Sequence, residues 1–272
     1  MTAQPYATLN NGSNMPLLGL GVYDMSGKEA ETAITDALEM GYRLIDTAAA
    51  YDNEKEVGNA IRSSAVPRQE IFVTTKVANA QQGYDSTLKA FDESLHRLDI
   101  DYVDLYLVHW PIKGKRKQTW QALEKLYSDK QVRAIGVSNY LLPFLQELED
   151  YASITPAVNQ LELSPFLFLK DEYQYCQKRQ IQLQSYSPLA RGKKFHDPTI
   201  LAIANKYGKS PAQIMIRWSL EHRISTIPKS ASRKRLQENF DVFDFTIDEL
   251  DMATLDSLHE DFRVVENPMQ ML

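Results

Sequence analysis

Cysteine is the scarcest residue of this 272-residue chain, with Cys176 as its single example. One thiol cannot close a disulfide within the chain, and its isolation argues against a cysteine-based zinc site. The surrounding sequence, DEYQYCQKRQ, is typical of a helix, so we interpret Cys176 as an inert helical residue. Such sparing use of cysteine is compatible with a cytoplasmic protein.

Long apolar runs and an excess of positive charge are also missing. No stretch approaches the roughly 18 apolar residues that a membrane-spanning helix needs. The first residues, MTAQPYATLNNGSNMP, have neither a basic start nor an apolar core, so they do not resemble a secretory signal. With 30 Lys and Arg against 36 Asp and Glu, the net charge is −6. We therefore expect neither a membrane nor a nucleic acid as a partner.

One short segment is basic against this balance. Lys229, Arg233, Lys234 and Arg235 lie close together in the sequence. Composition alone allows two interpretations, an anion-binding site or a solvated helix face.

Short apolar segments alternate with longer segments of helical periodicity. The apolar segments are YRLID, IFVTTK, YVDLYLVH, VRAIGVS, PAVNQ and IQLQSYS, with weaker ones around 17–20 and 224–227. A helix is predicted over 83–98, with Glu93 and Arg97 on its polar face, and Ser210 before Pro211 predicts the cap of another. This alternation in a chain near 250 residues predicts an α/β fold, a (β/α)8 TIM barrel in a single domain over 1–272.

The rival architecture is a doubly wound open sheet, whose sign would be a G-x-G-x-x-G turn after the first strand. Gly19 and Gly21 begin such a pattern, but its third glycine position is Asp24. The fingerprint therefore fails, and we predict that the two glycines form a tight turn at a strand end.

Polar residues recur where the predicted strands end. In chain order they are Asp46, Lys76, His109, Ser138 with Asn139, Asn159 with Gln160, and Tyr186. Their intervals of roughly 20–35 residues match one strand, one loop and one helix. In a barrel the carboxyl ends of the strands converge on one mouth, where active sites are built, so these side chains are predicted to surround one pocket.

Tyr51 follows Asp46 in the next loop. Its ordinary pKa is about 10, and a nearby ammonium is expected to lower that pKa by stabilising the phenolate. Lys76 can supply the ammonium, Asp46 can keep it charged, and His109 can hold a substrate carbonyl oxygen. Such a cluster suits protonation of an oxygen on which negative charge builds, as hydride delivery to a carbonyl requires.

The chain resembles the aldo-keto reductases along nearly its whole length. The matching segments are GYRLIDTAAAYDNEKEVG, IFVTTK, DYVDLYLVHWP, AIGVSNY, VNQLELSPF, YSPLARGK, SPAQIMIRW and IPKSASRKRLQEN. The resemblance implies an oxidoreductase that reduces carbonyl compounds with NADPH. We expect it to be cytoplasmic and to use no metal. Asp46, Tyr51, Lys76 and His109 match the family's catalytic tetrad, in which Tyr51 would be the general acid of reduction.

The same resemblance implies contacts at the nicotinamide end of the cofactor. Ser138, Asn139 and Gln160 match residues that hydrogen-bond the nicotinamide carboxamide, and Tyr186 matches the ring that stacks on it. Further implied cofactor contacts are Ser187 and Leu189.

At the other end of the cofactor the resemblance gives the basic segment a role. The family residues that bind the adenosine 2′-phosphate are matched by Lys229, Ser230 and Arg235. Those that contact the adenine are matched by Glu238 and Asn239. A planar guanidinium can engage two phosphate oxygens, so the segment favours NADPH over NADH.

The chain also departs from the family pattern in its implied substrate pocket. Ala78 replaces a frequent tryptophan, Tyr23 replaces another, and Trp110 is retained. The segments KGKRKQ and ENPMQML are short, so we expect an open pocket without long covering loops. Substrates consistent with such a pocket include 2-oxoaldehydes, diketo sugar acids, keto esters and aromatic aldehydes. Many relatives are monomers, and we expect a monomer here.

Two other functions stay open on the sequence. The first is an NADP(H)-binding sensor or regulatory subunit with little turnover, against which the intact tetrad argues. The second is a barrel hydrolase that uses Asp46 and a further carboxylate such as Glu54, against which the cofactor segments argue.

Overall fold

The computed structural model describes residues 4–271. It begins with a hairpin that the sequence patterns did not predict, formed by antiparallel strands β1 (Tyr6–Thr8) and β2 (Asn14–Pro16). The hairpin loop is attached to the barrel because Asn10 Nδ2 donates to Pro156 O at 2.9 Å and Asn11 Nδ2 donates to Arg133 O at 2.9 Å. The prediction of one domain over 1–272 reaches residues outside this range and stays a prediction.

Eight parallel strands follow in chain order, each hydrogen-bonded to the next. They are β3 (Leu20–Gly21), β4 (Leu44–Asp46), β5 (Phe72–Val77), β6 (Val103–Val108), β7 (Val132–Ser138), β8 (Val158–Glu162), β9 (Gln182–Tyr186) and β10 (Ser225–Thr226). The ring closes between its ends, since Gly19 N donates to Thr226 O at 2.9 Å and Thr226 N donates to Leu17 O at 2.8 Å. The predicted (β/α)8 barrel is confirmed.

Helices separate the strands. They are α1 (Gly27–Met40), α2 (Glu54–Ser63), α3 (Tyr84–Leu98), α4 (Arg116–Ser128), α5 (Leu142–Glu149), α6 (Lys170–Lys178), α7 (Pro198–Tyr207), α8 (Pro211–Glu221), α9 (Arg233–Phe240) and α10 (Glu249–Asp256). In the described part of the chain, every helix is too short or too polar to cross a membrane.

Side-chain contacts at α8 and α3 can be compared with the helix predictions. The start of α8 is confirmed: Ser210 Oγ accepts from Gln213 N, and Gln213 Oε1 accepts from Ser210 N, which satisfies two backbone donors at the helix start. On the polar face of α3, Arg97 reaches the buried carboxylate of Glu54 on α2, with both its Nε and a terminal nitrogen at 2.7 Å from Oε2.

The predicted tight turn at Gly19 and Gly21 is wrong. Gly21 belongs to β3, and neither glycine has a positive φ. They permit close packing instead: a Cβ on Gly19 would lie 2.2 Å from Leu44 Cδ2, and one on Gly21 would lie 2.8 Å from Ile227 O. Side chains here would push the first strand away from its neighbours and open the ring.

Strand alternation divides the core into two layers. The larger apolar layer lies between the strands and helices and includes Tyr106, Val108 and Ile135. A smaller cluster, with Leu44, Leu105 and Leu107, packs with Met15 of the hairpin. Alternate residues beyond this second cluster, towards the carboxyl ends of the strands, carry the polar side chains described next.

Candidate active site

The deepest polar pair of the barrel joins β4 and β5. Lys76 is completely buried and Asp46 is 2% exposed, and Lys76 Nζ donates to Asp46 Oδ1 at 2.6 Å. The same nitrogen donates to Thr47 O at 2.8 Å and to the Tyr51 hydroxyl oxygen at 3.4 Å. Three acceptors match the three N–H groups of an ammonium. Burial lowers the pKa of Lys76 and raises the pKa of Asp46, and the ion pair opposes both changes.

Tyr51 ends a short 3₁₀ turn, Ala49–Tyr51, that follows β4. Burial, and secondarily the negative charge of Asp46, hold the pKa of Tyr51 well above its usual value of 10. The expected lowering by Lys76 is therefore wrong for this structure, because Asp46 balances the charge of the ammonium and the phenol is shielded from water. At neutral pH the phenol keeps its proton, as a general acid must.

His109 follows β6 and lies beside this phenol. The two rings meet edge to face with centroids 5.5 Å apart. Burial, together with the positive charge of Lys76, lowers the pKa of His109 to about 3. The imidazole is therefore neutral at physiological pH, and a neutral ring still has one N–H to donate.

Hydrogen bonds connect the predicted nicotinamide contacts to this cluster. Gln160 Nε2 donates to Asp46 Oδ2 at 2.7 Å, and Asn139 Nδ2 donates to His109 O at 2.9 Å. The Tyr186 hydroxyl donates to Asn139 Oδ1 at 2.8 Å. The strand ends thus form one continuous polar network at the mouth of the barrel, as the spacing predicted.

A cavity of about 740 Å³ opens over this network. Most of the predicted site residues line it. They are Tyr23, Asp46, Tyr51, His109, Trp110, Ser138, Asn139, Gln160, Tyr186, Ser187, Leu189, Lys229 and Arg235. The structure therefore brings three of the four predicted catalytic residues, the nicotinamide contacts and two basic side chains to one cavity, whose volume lies in the range of small-molecule sites.

Six predicted residues lie outside the cavity lining. Asn159 was expected at the pocket, but it is fully buried and its Nδ2 donates to Tyr140 O at 2.8 Å, on the other face of β8 from Gln160. Lys76 is buried behind Tyr51. Ala78 lies between β5 and a short 3₁₀ turn at Asn79–Gln81 and does not line the cavity. Asn239 and Glu238 belong to α9, and Ser230 Oγ accepts from Ser232 N just before that helix.

The sequence missed several residues that line the cavity. Arg191 and Phe195 come from the loop after β9, and Val265 comes from the C-terminal segment. Asp24 is also part of the lining, and its backbone oxygen accepts from Lys229 Nζ at 2.8 Å. Local patterns could not find Val265, because apolar residues in a tail have no periodicity to indicate what they cover. The expectation of a pocket without covering loops did not foresee this segment.

Comparison with known proteins gives consistent matches. The family model described as "Aldo/keto reductase family" matches residues 17–260. The glyoxal reductase of Bacillus subtilis (strain 168) is 49% identical over 265 residues, covering 97% of this chain and 96% of the relative. An aldo-keto reductase, MGS-M4, from a Medee basin deep-sea metagenome library has a TM-score of 0.93 at 46% identity, with 96% and 97% of the chains covered. A point mutant of Gox0644, solved in complex with NADPH, has a TM-score of 0.94 at 38% identity, with 98% of each chain covered.

Proposed function

Because this chain belongs to the aldo/keto reductase family, we propose that it reduces aldehydes and ketones to alcohols with NADPH, with Tyr51 as the proton donor. The observation that carries the proposal is the Tyr51 phenol, which accepts a hydrogen bond from buried Lys76 and contacts His109 at the bottom of one cavity.

The polar groups of the cavity fit a nicotinamide dinucleotide phosphate. Asn139 and Gln160 carry amides beside the Tyr186 ring, and Ser138 Oγ accepts from Asn139 Nδ2, which leaves the serine O–H to donate. Exposed Lys229 and Arg235 offer positive charge to a phosphate. We therefore assign the nicotinamide to the side chains around Tyr186 and the 2′-phosphate to Lys229 and Arg235. Ser187 and Leu189 are proposed to contact the part of the cofactor between these two ends.

The remaining predicted contacts, Ser230, Glu238 and Asn239, are proposed to bind beyond the cavity edge. Arg191 is a further candidate for the cofactor site, since it lines the same cavity. The solved complex of Gox0644 with NADPH supports the choice of cofactor.

When bound, NADPH supplies the hydride; positioning and proton transfer fall to the chain. The Tyr51 O–H gives its proton to the substrate oxygen, and the Lys76 ammonium stabilises the phenolate that remains. Neutral His109 donates a hydrogen bond to the same substrate oxygen and so orients the carbonyl. Asp46 holds Lys76 in place, and the burial of the pair excludes competing water.

Among the candidate substrates, 2-oxoaldehydes come first because the B. subtilis relative is named a glyoxal reductase. Diketo sugar acids, keto esters and aromatic aldehydes follow from the sequence-based expectation, and Tyr23 and Trp110 are proposed as pocket walls. Ala78 is not proposed as a pocket wall, because it does not line the cavity. We propose a cytoplasmic monomer, which analytical ultracentrifugation and fractionation would test.

The decisive experiment is a panel of these carbonyl compounds with NADPH and NADH in parallel. We expect cofactor oxidation with NADPH and less with NADH. If NADPH is not consumed with any member of the panel, the proposed function is wrong; NADPH binding without turnover would instead favour the sensor hypothesis.

A further inference from the structure

We propose that Glu162 is a positioning residue that holds the C-terminal wall of the substrate pocket. The proposal rests on the proposed function only in that the cavity is taken as the place of the carbonyl substrate. This carboxylate takes no part in the proposed proton transfer, although it lies on the strand that carries Gln160.

The contact joins a barrel strand to the C-terminal segment. Glu162 is the last residue of β8 and is 5% exposed. Its Oε1 accepts from Val264 N at 2.6 Å, and its Oε2 accepts from Val265 N at 3.1 Å. One carboxylate thus binds two consecutive backbone N–H groups, and such charge-assisted bonds are about twice as strong as neutral ones.

The held residue is part of the cavity wall. Val265 lines the cavity that also contains Tyr51, His109 and Trp110. Glu162 is paired in register with Tyr186 on β9, which places the carboxylate beside the predicted nicotinamide ring contact. The position of the Val265 wall is therefore fixed directly to the strand ends that carry the reaction.

The environment of the carboxylate makes these two bonds necessary. A buried charge is costly unless it is hydrogen-bonded or paired. Burial raises the pKa of Glu162, while the N–H groups of Val264 and Val265 and the positive charges of Arg263 and Arg191 oppose that rise. Removing the carboxylate would leave two backbone donors without their acceptors.

The rest of the C-terminal segment has its own anchors. Phe166 O accepts from Glu260 N and Phe262 N, both at 3.2 Å, before the held residues. After them, Arg116 donates to Met271 O at 3.3 Å. Because both sides stay attached, loss of Glu162 should release the stretch around Val265 without detaching the segment, so the change should stay local to the pocket.

The test compares Glu162→Gln and Glu162→Ala with the control Glu266→Gln, an exposed glutamate next to Val265. Glutamine keeps the shape but replaces one acceptor oxygen with an NH₂ that opposes a backbone N–H. We expect the KM of a bulky aromatic aldehyde to rise about tenfold in the Glu162 variants. A change of this size corresponds to the free energy of roughly one lost charged hydrogen bond. The KM of methylglyoxal, kcat and the NADPH dissociation constant should each change less than about threefold.

A second measurement separates positioning from a general loss of structure. Amide hydrogen exchange should be slow at Val264 and Val265 of the native protein, slower than at Glu266, and faster at these two sites in Glu162→Gln. The hydrogen-exchange measurement requires neither enzymatic turnover nor a well-folded alanine variant. Equal exchange at 264, 265 and 266 in the native protein overturns the proposal, as does an unchanged KM ratio between the two aldehydes in Glu162→Gln. Inactivity of the native protein towards every carbonyl would refute the proposed function alone.

Discussion

Lys76 Nζ donates a hydrogen bond to the Tyr51 hydroxyl oxygen over 3.4 Å while it also binds the carboxylate of Asp46 at 2.6 Å. The shorter bond balances the charge of the lysine in the resting state. The longer bond aims that charge at the atom that would become negative when the phenol gives up its proton. The arrangement suits stabilisation of a charge that appears during the reaction rather than before it.

The phenol gives the first prediction. Tyr51→Phe removes the proton donor and keeps the ring against His109, so kcat should fall about 10²–10⁴-fold, the usual contribution of a general acid. The NADPH dissociation constant, measured by protein fluorescence, should change less than about twofold. Retention of full turnover in this variant would exclude Tyr51 as the acid.

The buried ion pair gives a prediction on stability. Lys76→Met leaves Asp46 buried without its charged partner and should lower the free energy of unfolding in urea by about 3–5 kcal/mol. The matched control is Lys125→Met, which breaks a solvent-screened pair with Asp129 on an exposed helix surface and should change the stability far less. The double change Asp46→Asn with Lys76→Met should recover part of the loss. Similar costs for the two single variants would contradict the importance of burial.

His109 gives a prediction on pH. Its pKa is near 6.5 when unfolded and about 3 when folded, so below pH 6.5 the unfolded state binds the extra proton. Stability linked to this group is complete above pH 6.5 and is lost as pH falls towards 3, by up to about 1.4 kcal/mol per pH unit. Urea unfolding between about pH 7 and pH 5 should give a smaller pH slope for His109→Gln than for the native protein. Identical slopes would mean that the imidazole is not neutralised by folding.

Arg235 gives a prediction on cofactor choice. If its guanidinium binds the 2′-phosphate, Arg235→Gln should weaken NADPH binding by about 10–100-fold and leave NADH binding nearly unchanged. The matched control is Arg233→Gln on the same helix, whose guanidinium pairs with Asp36 and Glu39. Fluorescence titrations with both cofactors give the ratio of the NADPH and NADH dissociation constants for each variant. Equal weakening of NADPH and NADH would place the phosphate elsewhere.

Much of the barrel could be predicted because its strands are short apolar segments ending in polar residues. The strand at 103–108 and the helix at 84–98 were predicted almost at their observed bounds, since periodicity and length agree there. The capped start at Ser210 was predictable because a cap is a local interaction. The hairpin at 6–16 was missed, because its three-residue strands are too short for alternation to stand out.

The errors occurred where partners come from distant parts of the chain. The sequence placed Arg97 on a polar helix face and did not find its partner, the buried Glu54 on another helix, where the less polar environment strengthens the interaction. The pKa of Tyr51 was expected to fall because of Lys76, and burial reverses that direction. Gly19 and Gly21 were interpreted as a turn, although the need for small residues comes from Leu44 of β4 and Ile227 after β10, which pack closely against the first strand.

The sequence by itself determined which chemical groups stand at the strand ends, because strand alternation and repeat length are encoded locally. It also carried the family resemblance, which the comparisons confirm. Only the tertiary structure decided the distances and degree of burial at the site, and which tail residue closes the pocket. Those quantities depend on how the ring closes and on which distant segments exclude water, and no local pattern contains that information.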